Sequence, residues 1–347
     1  MSQILIQKNK SLDKDVRWSW ATRLINDSEF YIEKSPLTKP LPGDLGLFRV
    51  KEIGYHQNLI TKDDKKLRLY ENDFFVGVFG NRYATDGFEG RVEKLDKISM
   101  LTAAGMVGTV RYKHKSIKKS TKLAFQGLLI DQQGDRINLK ELFFHKSISK
   151  LTPKNLILVV GSGMNSGKTT SASKLINGLS KEGLKVAACK LTGSVSNRDK
   201  NELYSASADY VIDFSDYGFP STYLCKKEEL LNLFNTMLSD IEKTSPNVIV
   251  MEIADGILQR ETKMLLTNKE IHDNTKGVIL AAESAPSALF SSKQLQKWGY
   301  NVIAVSGAIT SSPLSSKEFQ ENSEINLVSS ADSGIDLSNS VVEHIKN

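Results

Sequence analysis

Cysteine is nearly absent: the 347 residues contain two, Cys189 and Cys225, beside five histidines. Neither cysteine stands in a C-x-x-C or a Cys/His cluster, which excludes a disulfide framework and a zinc finger and fits a reducing compartment. Cys189 follows Ala187 and Ala188 and reads as a small core residue, not a reactive thiol. His56 and His145 stand alone and read as structural. No apolar run is long enough to span a bilayer, and Met1 to Lys10 leads into charged residues, not a signal peptide. A cytoplasmic chain with no membrane partner is expected. Internal repeats and long low-complexity tracts are also lacking.

What is present is an ordinary globular composition, 40% apolar and 25% charged, in a chain long enough for two cores. The net charge of +6 is unevenly spread: residues 1–150 carry 27 Lys and Arg against 18 Asp and Glu, the remainder 19 against 22. The basic character belongs to the first half. Pro36, Pro40 and Pro42-Gly43 punctuate the chain after a mixed stretch, 1–35, that reads as helix plus an extended piece.

Strand periodicity follows. Leu45–Ile53, Leu67–Tyr70, Phe74–Phe79, Gly105–Tyr112, Leu123–Ile130 and Ile137–Phe144 are short, β-branched or aromatic, and bounded by turn residues. They predict a small antiparallel barrel or sandwich over about 40–145, within an N-terminal domain of 1–152. Leu151 to Asn155 reads as the joint. From 153 to 347 strands alternate with amphipathic helices, which predicts a doubly wound, mostly parallel α/β domain. Its strands are Leu156–Val160, Lys185–Lys190, Tyr210–Phe214, Val248–Ile253, Val278–Ala282, Val302–Ser306 and Ile325–Val328. Leu230, Phe234, Met237, Leu238 and Ile241 mark one helix face, and Ala288, Leu289, Leu295 and Trp298 another. Ser311 to Ser316 reads as a loop.

The second half is organised around its first strand. Leu156 to Val160 runs into Gly161-Ser162-Gly163-Met164-Asn165-Ser166-Gly167-Lys168-Thr169-Thr170, and then into a helix with Ala172, Leu175, Ile176 and Leu179 on one face. A glycine-bearing loop lets backbone N–H groups turn around an anion, and the helix start adds its positive end. Lys168 offers charge to outer phosphates and Thr169 a hydroxyl to Mg²⁺. Gly163 to Thr170 are therefore the candidate nucleotide-binding residues. The spacing departs from G-x4-G-K-[ST], because Ser162 stands at the first glycine position.

In parallel sheets ligands bind at the carboxyl ends of strands. There, Lys190 closes the second strand and is placed to reach a phosphate or an anionic substrate; Asp199, in the loop that follows, is a candidate Mg²⁺ ligand. Glu252 ends the fourth strand, the position from which such sheets hold Mg²⁺, with Asp255 as fallback. Lys168, Lys190 and Glu252 are the candidate catalytic residues, and Thr169, Asp199 and Glu252 the candidate metal ligands. Asp213 and Asp216 read as substrate contacts or turn formers, Arg260 and Glu261 as a solvated pair. The small residues Ala304 to Ala308 are placed to let a base approach the backbone.

The loop Gly161-x5-Gly167-Lys168-Thr169, Lys190 with Thr192-Gly193, and Glu252 with Gly256 resemble dethiobiotin synthetase and its relatives in the SIMIBI class of P-loop proteins. The opening of the domain is also similar to the molybdopterin-guanine dinucleotide biosynthesis accessory GTP-binding protein. The resemblance implies a P-loop NTPase fold over about the last 195 residues, with Lys168 and Thr169 on phosphate and Mg²⁺, Lys190 on the substrate side, and Asp199 and Glu252 completing the metal site. The family's Lys-Pro is Lys190-Leu191 here, and its Glu-Gly-Ala-Gly-Gly is Glu252-Ile253-Ala254-Asp255-Gly256, so substrate identity does not transfer. The extra loop lysine of the cell-division and plasmid-segregation ATPases is missing from 161–166.

The expected activity is Mg²⁺-ATP-dependent, with the γ-phosphate transferred to or cleaved beside a small, carboxylate-like substrate, as in a ligase, kinase or hydrolase. ATP is favoured over GTP by the resemblance, and the lack of an Asn-Lys-x-Asp guanine-reading motif disfavours GTP. The alternative is a nucleotide-switched protein whose basic first domain binds nucleic acid or a protein; a homodimer fits either. That alternative rests on Arg111 to Lys122, with seven cationic side chains counting His114, though few aromatics interleave with them. Asn81 to Ala84 and Gly87 to Glu89 form a second polar and aromatic cluster, read as an ordinary hairpin loop or as a face for a ligand.

Overall fold

The computed structural model describes residues 16–25, 30–34, 36, 38–145, 155–329 and 334–346. Most of the expected joint, 151–154, and residues 1–15 of the opening stretch lie outside the described residues. The chain divides into two compact units. The first comprises 1–145 with two stretches from later in the chain, 194–197 and 214–224; the second holds the rest.

The first unit contains β1 (Val16–Trp18), β2 (Tyr31–Glu33), β3 (Leu45–Glu52), β4 (Asn58–Ile60), β5 (Lys66–Arg68), β6 (Phe74–Phe79), β7 (Phe88–Arg91), β8 (Ser99–Met100), β9 (Met106–Lys113), β10 (Lys122–Ile130) and a short helix α1 (Leu139–Phe143). Pairings run from β6 to β3, β10, β8, β9 and back to β6, so the circuit returns to its starting strand. The β1–β6 and β6–β9 pairs are parallel, a departure from the all-antiparallel expectation. Alternation along the strands feeds two apolar clusters. Phe48, Val50, Phe75, Phe79 and Val107 enter one, where the Phe48 ring meets Phe79 edge-on at 5.3 Å. Leu45, Leu47, Val76, Val78 and Met106 enter the other, together with Leu139 of α1 and Val195 from the later chain.

One sequence expectation fails here for a local reason. Ile137–Phe144 reads as a strand, but Asn138 accepts from the backbone N–H of Lys140 at 3.0 Å and Glu141 at 3.4 Å and so starts a helix. Of the opening stretch, the described residues hold two short strands and one 3₁₀ turn, Trp20–Thr22; the expected helix is tested only over those residues.

The second unit contains β11 (Leu156–Gly161), α2 (Lys168–Lys181), β12 (Val186–Lys190), α3 (Asn197–Ser205), β13 (Tyr210–Asp213), α4 (Lys227–Glu242), β14 (Val248–Glu252), α5 (Arg260–Leu266), α6 (Lys269–Asn274), β15 (Thr275–Ala281), α7 (Ala285–Lys297), β16 (Val302–Ser306), α8 (Pro313–Gln320) and α9 (Ile335–Lys346). Its sheet has the order β13-β12-β14-β11-β15-β16 with every pair parallel. Ile157 and Val159 share a core with Leu175, Ile176 and Leu179 of α2 and with Leu337 and Val341 of α9. Leu156, Leu158 and Val160 on the opposite face are also fully buried, so both faces of β11 are covered, as a near-continuous apolar strand requires. Each such side chain stabilises the fold by about 1.5–3 kcal/mol.

Ile325–Val328 makes one parallel bridge, Leu327 to Val305, instead of a strand. The serine stretch is helical in its second half, because Ser312 accepts from the N–H of Ser315 at 3.3 Å and Pro313 occupies the first turn. Among the described residues no helix is long and apolar enough to cross a membrane.

His56 of the first unit carries a testable consequence. Its ring sits 5.0 Å from Tyr55 and 5.9 Å from Phe88, and its Nε2 lies 2.9 Å from the Leu101 carbonyl and 3.4 Å from Arg82 Nη1. Burial, then the Arg82 charge, lower its pKa to about 4, against the opposing pull of the Leu101 carbonyl. His56 is thus neutral when folded but takes up a proton near 6.5 when unfolded, so its contribution is present above that value and declines as pH falls toward about 4. The loss is at most about 3 kcal/mol at roughly 1.4 kcal/mol per pKa unit. Urea unfolding across this range should show His56→Gln with a shallower loss of stability than the parent protein; equal pH dependence would refute the assignment.

Candidate functional site

The carboxyl ends of β11, β12 and β14 bring the site together. Lys190 and Glu252 are register partners on neighbouring strands, and Glu252 is also the partner of Val159 on β11. The Lys190 ammonium donates to Glu252 Oε1 at 2.8 Å and to Asp199 Oδ2 at 2.7 Å. Asp199 lies in the first turn of α3, not in a loop. Glu252 is 1% exposed, and its second oxygen, Oε2, is buried with no hydrogen-bond partner. A buried carboxylate oxygen left without a donor is costly, and it is the observation here that most calls for an occupant.

The charges follow from this packing. Desolvation pulls the Lys190 pKa down, but Glu252 and Asp199, through charge and hydrogen bonds, hold it above the ordinary lysine value. The Lys190 charge in turn holds the Asp199 carboxyl below its usual range, against burial. Lys168 shifts the other way: burial, with help from Lys190, lowers its pKa, although Glu252, Asp255 and Glu283 oppose the change. Its ammonium donates to the Gly163 carbonyl at 2.9 Å. Lys168 is therefore a largely desolvated cation beside a loop of backbone amides, and an incoming polyanion relieves that desolvation.

The loop conformation explains its unusual spacing. A side chain at 161 would begin 2.4 Å from Ser166 Oγ and 2.8 Å from Lys168 Cδ, so the glycine is needed where the lysine stem passes. Ser162 keeps negative φ, while Asn165 (φ 64°) and Gly167 (φ 94°) supply the left-handed turns that lead into α2. Helix bonding begins with Ser171 N–H to Gly167 O at 2.8 Å. On the far side, Gly307 has φ 94°, and a Cβ there would lie 2.2 Å from the Ser166 carbonyl, which accepts from Ala308 N–H at 3.0 Å. Gly307 and Ala308, at the end of the small-residue stretch Ala304 to Ala308, thus lie against the 161–170 loop.

Other polar atoms converge on the same region. The hydroxyls of Ser162, Ser166 and Ser306 are buried without partners. Thr192 Oγ1 donates to the Ala254 carbonyl at 2.5 Å and accepts from Ala254 N–H at 2.8 Å, tying the end of β12 to the end of β14. Thr169 is half-buried, and Thr170 is exposed. Among the described residues no three His, Cys, Asp or Glu side chains form a metal cage.

Several sequence candidates fall elsewhere. Asp216 belongs to the first unit, where it accepts from Arg23 at 2.6 Å. Asp213 is buried at the end of β13, in register with Lys190. Glu261 is not solvated: it is 1% exposed and pairs with Arg260, which also donates to Cys225 O at 3.2 Å. Cys189 is fully buried and its thiol is pushed up by desolvation, as a core residue should be. Glu283 is absent from the sequence reading, yet it follows β15 as Glu252 ends β14, so the same strand-end rule would have found it.

No family model matches the chain, and no curated protein matches it. Solved structures similar to it include the signal recognition particle receptor FtsY from Elizabethkingia anophelis, at 15% identity over 60% of this chain and 70% of that one, TM-score 0.38. The signal recognition particle 54 kDa protein from Aeropyrum pernix in complex with GDP has 16% identity over 60% and 53%, TM-score 0.37. The kinase domain of Escherichia coli tyrosine kinase ETK has 16% identity over 44% and 66%, TM-score 0.33. Likenesses this slight bear on neither activity nor substrate.

Removing the Lys190 ammonium leaves the buried Glu252 carboxylate and the half-buried Asp199 carboxylate without their shared cation. Lys190→Ala is expected to lower stability to urea by about 3 kcal/mol, and an unchanged unfolding midpoint would show that the triad carries no such load.

Proposed function

We propose that the chain is a P-loop nucleotide triphosphatase that binds Mg²⁺-ATP at 161–170 and directs the γ-phosphate to water or to a small carboxylate-like substrate. The observation that carries this reading is the unpartnered, buried Oε2 of the Lys190-paired Glu252, on the strand next to the one that runs into a glycine loop and a fourteen-residue helix. In this reading the amides of Gly163 to Thr170 cradle the phosphates, with the α2 terminus behind them. Lys168 exchanges its bond to the Gly163 carbonyl for an outer phosphate oxygen. Lys190 holds Glu252 Oε1, so that Oε2 is left over for the ion; Asp199, the other acid on Lys190, keeps that ammonium in place.

The residues present fit Mg²⁺. The orphaned Glu252 oxygen and the half-buried Thr169 hydroxyl are oxygen donors of the kind it prefers, and such sites need only one or two carboxylates beside substrate phosphates. Asp199 is the third candidate, available through the oxygen that Lys190 does not take. When bound, the ion would neutralise the phosphate oxygens that gain charge in transfer. ATP is preferred over GTP on the motif resemblance to dethiobiotin synthetase, and the missing guanine-reading motif weighs against GTP. The closed pairing circuit supports reading the first unit as a small barrel, and its role as the partner-binding part of a nucleotide-dependent protein remains the second reading, favoured by the groove described below.

Isothermal titration with ATP and GTP, with and without Mg²⁺, tests the proposal. Heat is expected with ATP and Mg²⁺, and Lys168→Ala should weaken binding roughly tenfold to a hundredfold, the worth of a charged hydrogen bond or two. Glu252→Gln should retain binding and lose phosphate release. Absence of heat with either triphosphate, or full turnover by Lys168→Ala, would overturn the reading.

A further inference from the structure

The first unit holds a groove of about 730 Å³ bounded by the 83–87 loop, β7, the end of β9 and Tyr223. Its aromatic lining comes from three separate stretches of chain. Tyr83 and Tyr223 pack obliquely with ring centroids 5.5 Å apart, and Tyr112, on β9, is 75% exposed. The basic run interleaves only Tyr112 with its cations; folding adds the other two rings.

Charge and hydrogen bonding point the same way. Lys113 and Lys115 line the groove and are exposed. The Lys113 ammonium rests on the carbonyls of His114 and Ile117, at 3.4 and 3.0 Å, which leaves its charge intact. Glu89 Oε1 accepts from Arg91 Nε at 2.7 Å and from the Tyr223 hydroxyl at 3.2 Å, while Oε2 is buried with no partner. A groove-lining acceptor in that state suits a ligand that brings an N–H. The cations also continue past the groove, since exposed Lys118 and Lys119 lie beyond its lining. A small anion would use only the groove; a chain of phosphates uses both.

We propose that this groove binds single-stranded nucleic acid. Bases stack on Tyr112 and against the Tyr83–Tyr223 pair, a base N–H donates to Glu89 Oε2, and the phosphates run outward over Lys113 and Lys115. A duplex keeps its bases stacked internally and offers no free base face to the tyrosines. The site is independent of the nucleotide reading above, because each of its residues lies in the first unit.

Fluorescence anisotropy of labelled homopolymer DNA and RNA strands with the full chain, without triphosphate and over a salt series, tests it. Strands should bind more tightly than the matching duplex. Tyr112→Ala, at an exposed position that leaves the fold intact, should weaken strand binding roughly tenfold, the worth of one stacked base, with the salt slope unchanged. Lys113→Ala with Lys115→Ala should lower the slope of log affinity against log salt by about 1.4. Lys168→Ala should bind strands as the parent does, so loss of nucleotide binding and loss of strand binding can be told apart. No binding at low salt, full affinity in Tyr112→Ala, equal binding of duplex and heparin, or displacement by free uridine monophosphate as effective as by unlabelled strand would each overturn the proposal.

Discussion

A buried carboxylate paired to the lysine of the neighbouring strand governs the second unit. Glu252 sits at the end of a central strand where water cannot reach it, and an ionised group there is tolerable only with a cation in contact. Lys190 supplies that cation from the neighbouring strand and takes Asp199 with its remaining reach. Coulomb attraction and desolvation nearly cancel in such clusters, so the net gain in stability is small beside what removal of one member would cost. What the cluster fixes is orientation: one oxygen of Glu252 is committed and the other is left over.

The parallel sheet is the means by which this comes about. Register places Lys190, Glu252 and Val159 side by side, and the backbone after each strand is pinned before it can wander. Ile253 N–H bonds Val159 O at 3.0 Å, Ile257 N–H bonds Gly161 O at 2.9 Å, and Leu191 N–H bonds Glu252 O at 2.9 Å. Rigid strand ends thus carry the polar groups, and the apolar layers on both faces carry the cost of holding them there. The first unit is built on the opposite plan, a circuit of mixed strands with aromatic filling and a cationic rim, and it takes in two stretches that the chain provides only after β12 and β13.

The apolar strands of both halves and the loop at 161–170 were legible in the sequence because their signals are local: runs of β-branched residues, and glycine before Lys-Thr. The alternation of Ile137 to Phe144 misleads because a single capping side chain, Asn138, outweighs it. Very short strands such as β1, β4 and β8 carry too few residues for a period to show. The meeting of Lys190 with Asp199 could not be read, since it depends on α3 turning back over the sheet. Glu261 looked solvated beside Arg260 because charge in sequence says nothing of depth. The groove was hidden for a related reason: its rings come from three places in the chain.

The contact between Gly307 and the Ser166 carbonyl has one more implication. A loop that must be organised by its guest spends part of the guest's affinity on that ordering. Here the turn is already braced from behind by the backbone that follows β16, so the entropy of arranging it was given up when the chain folded.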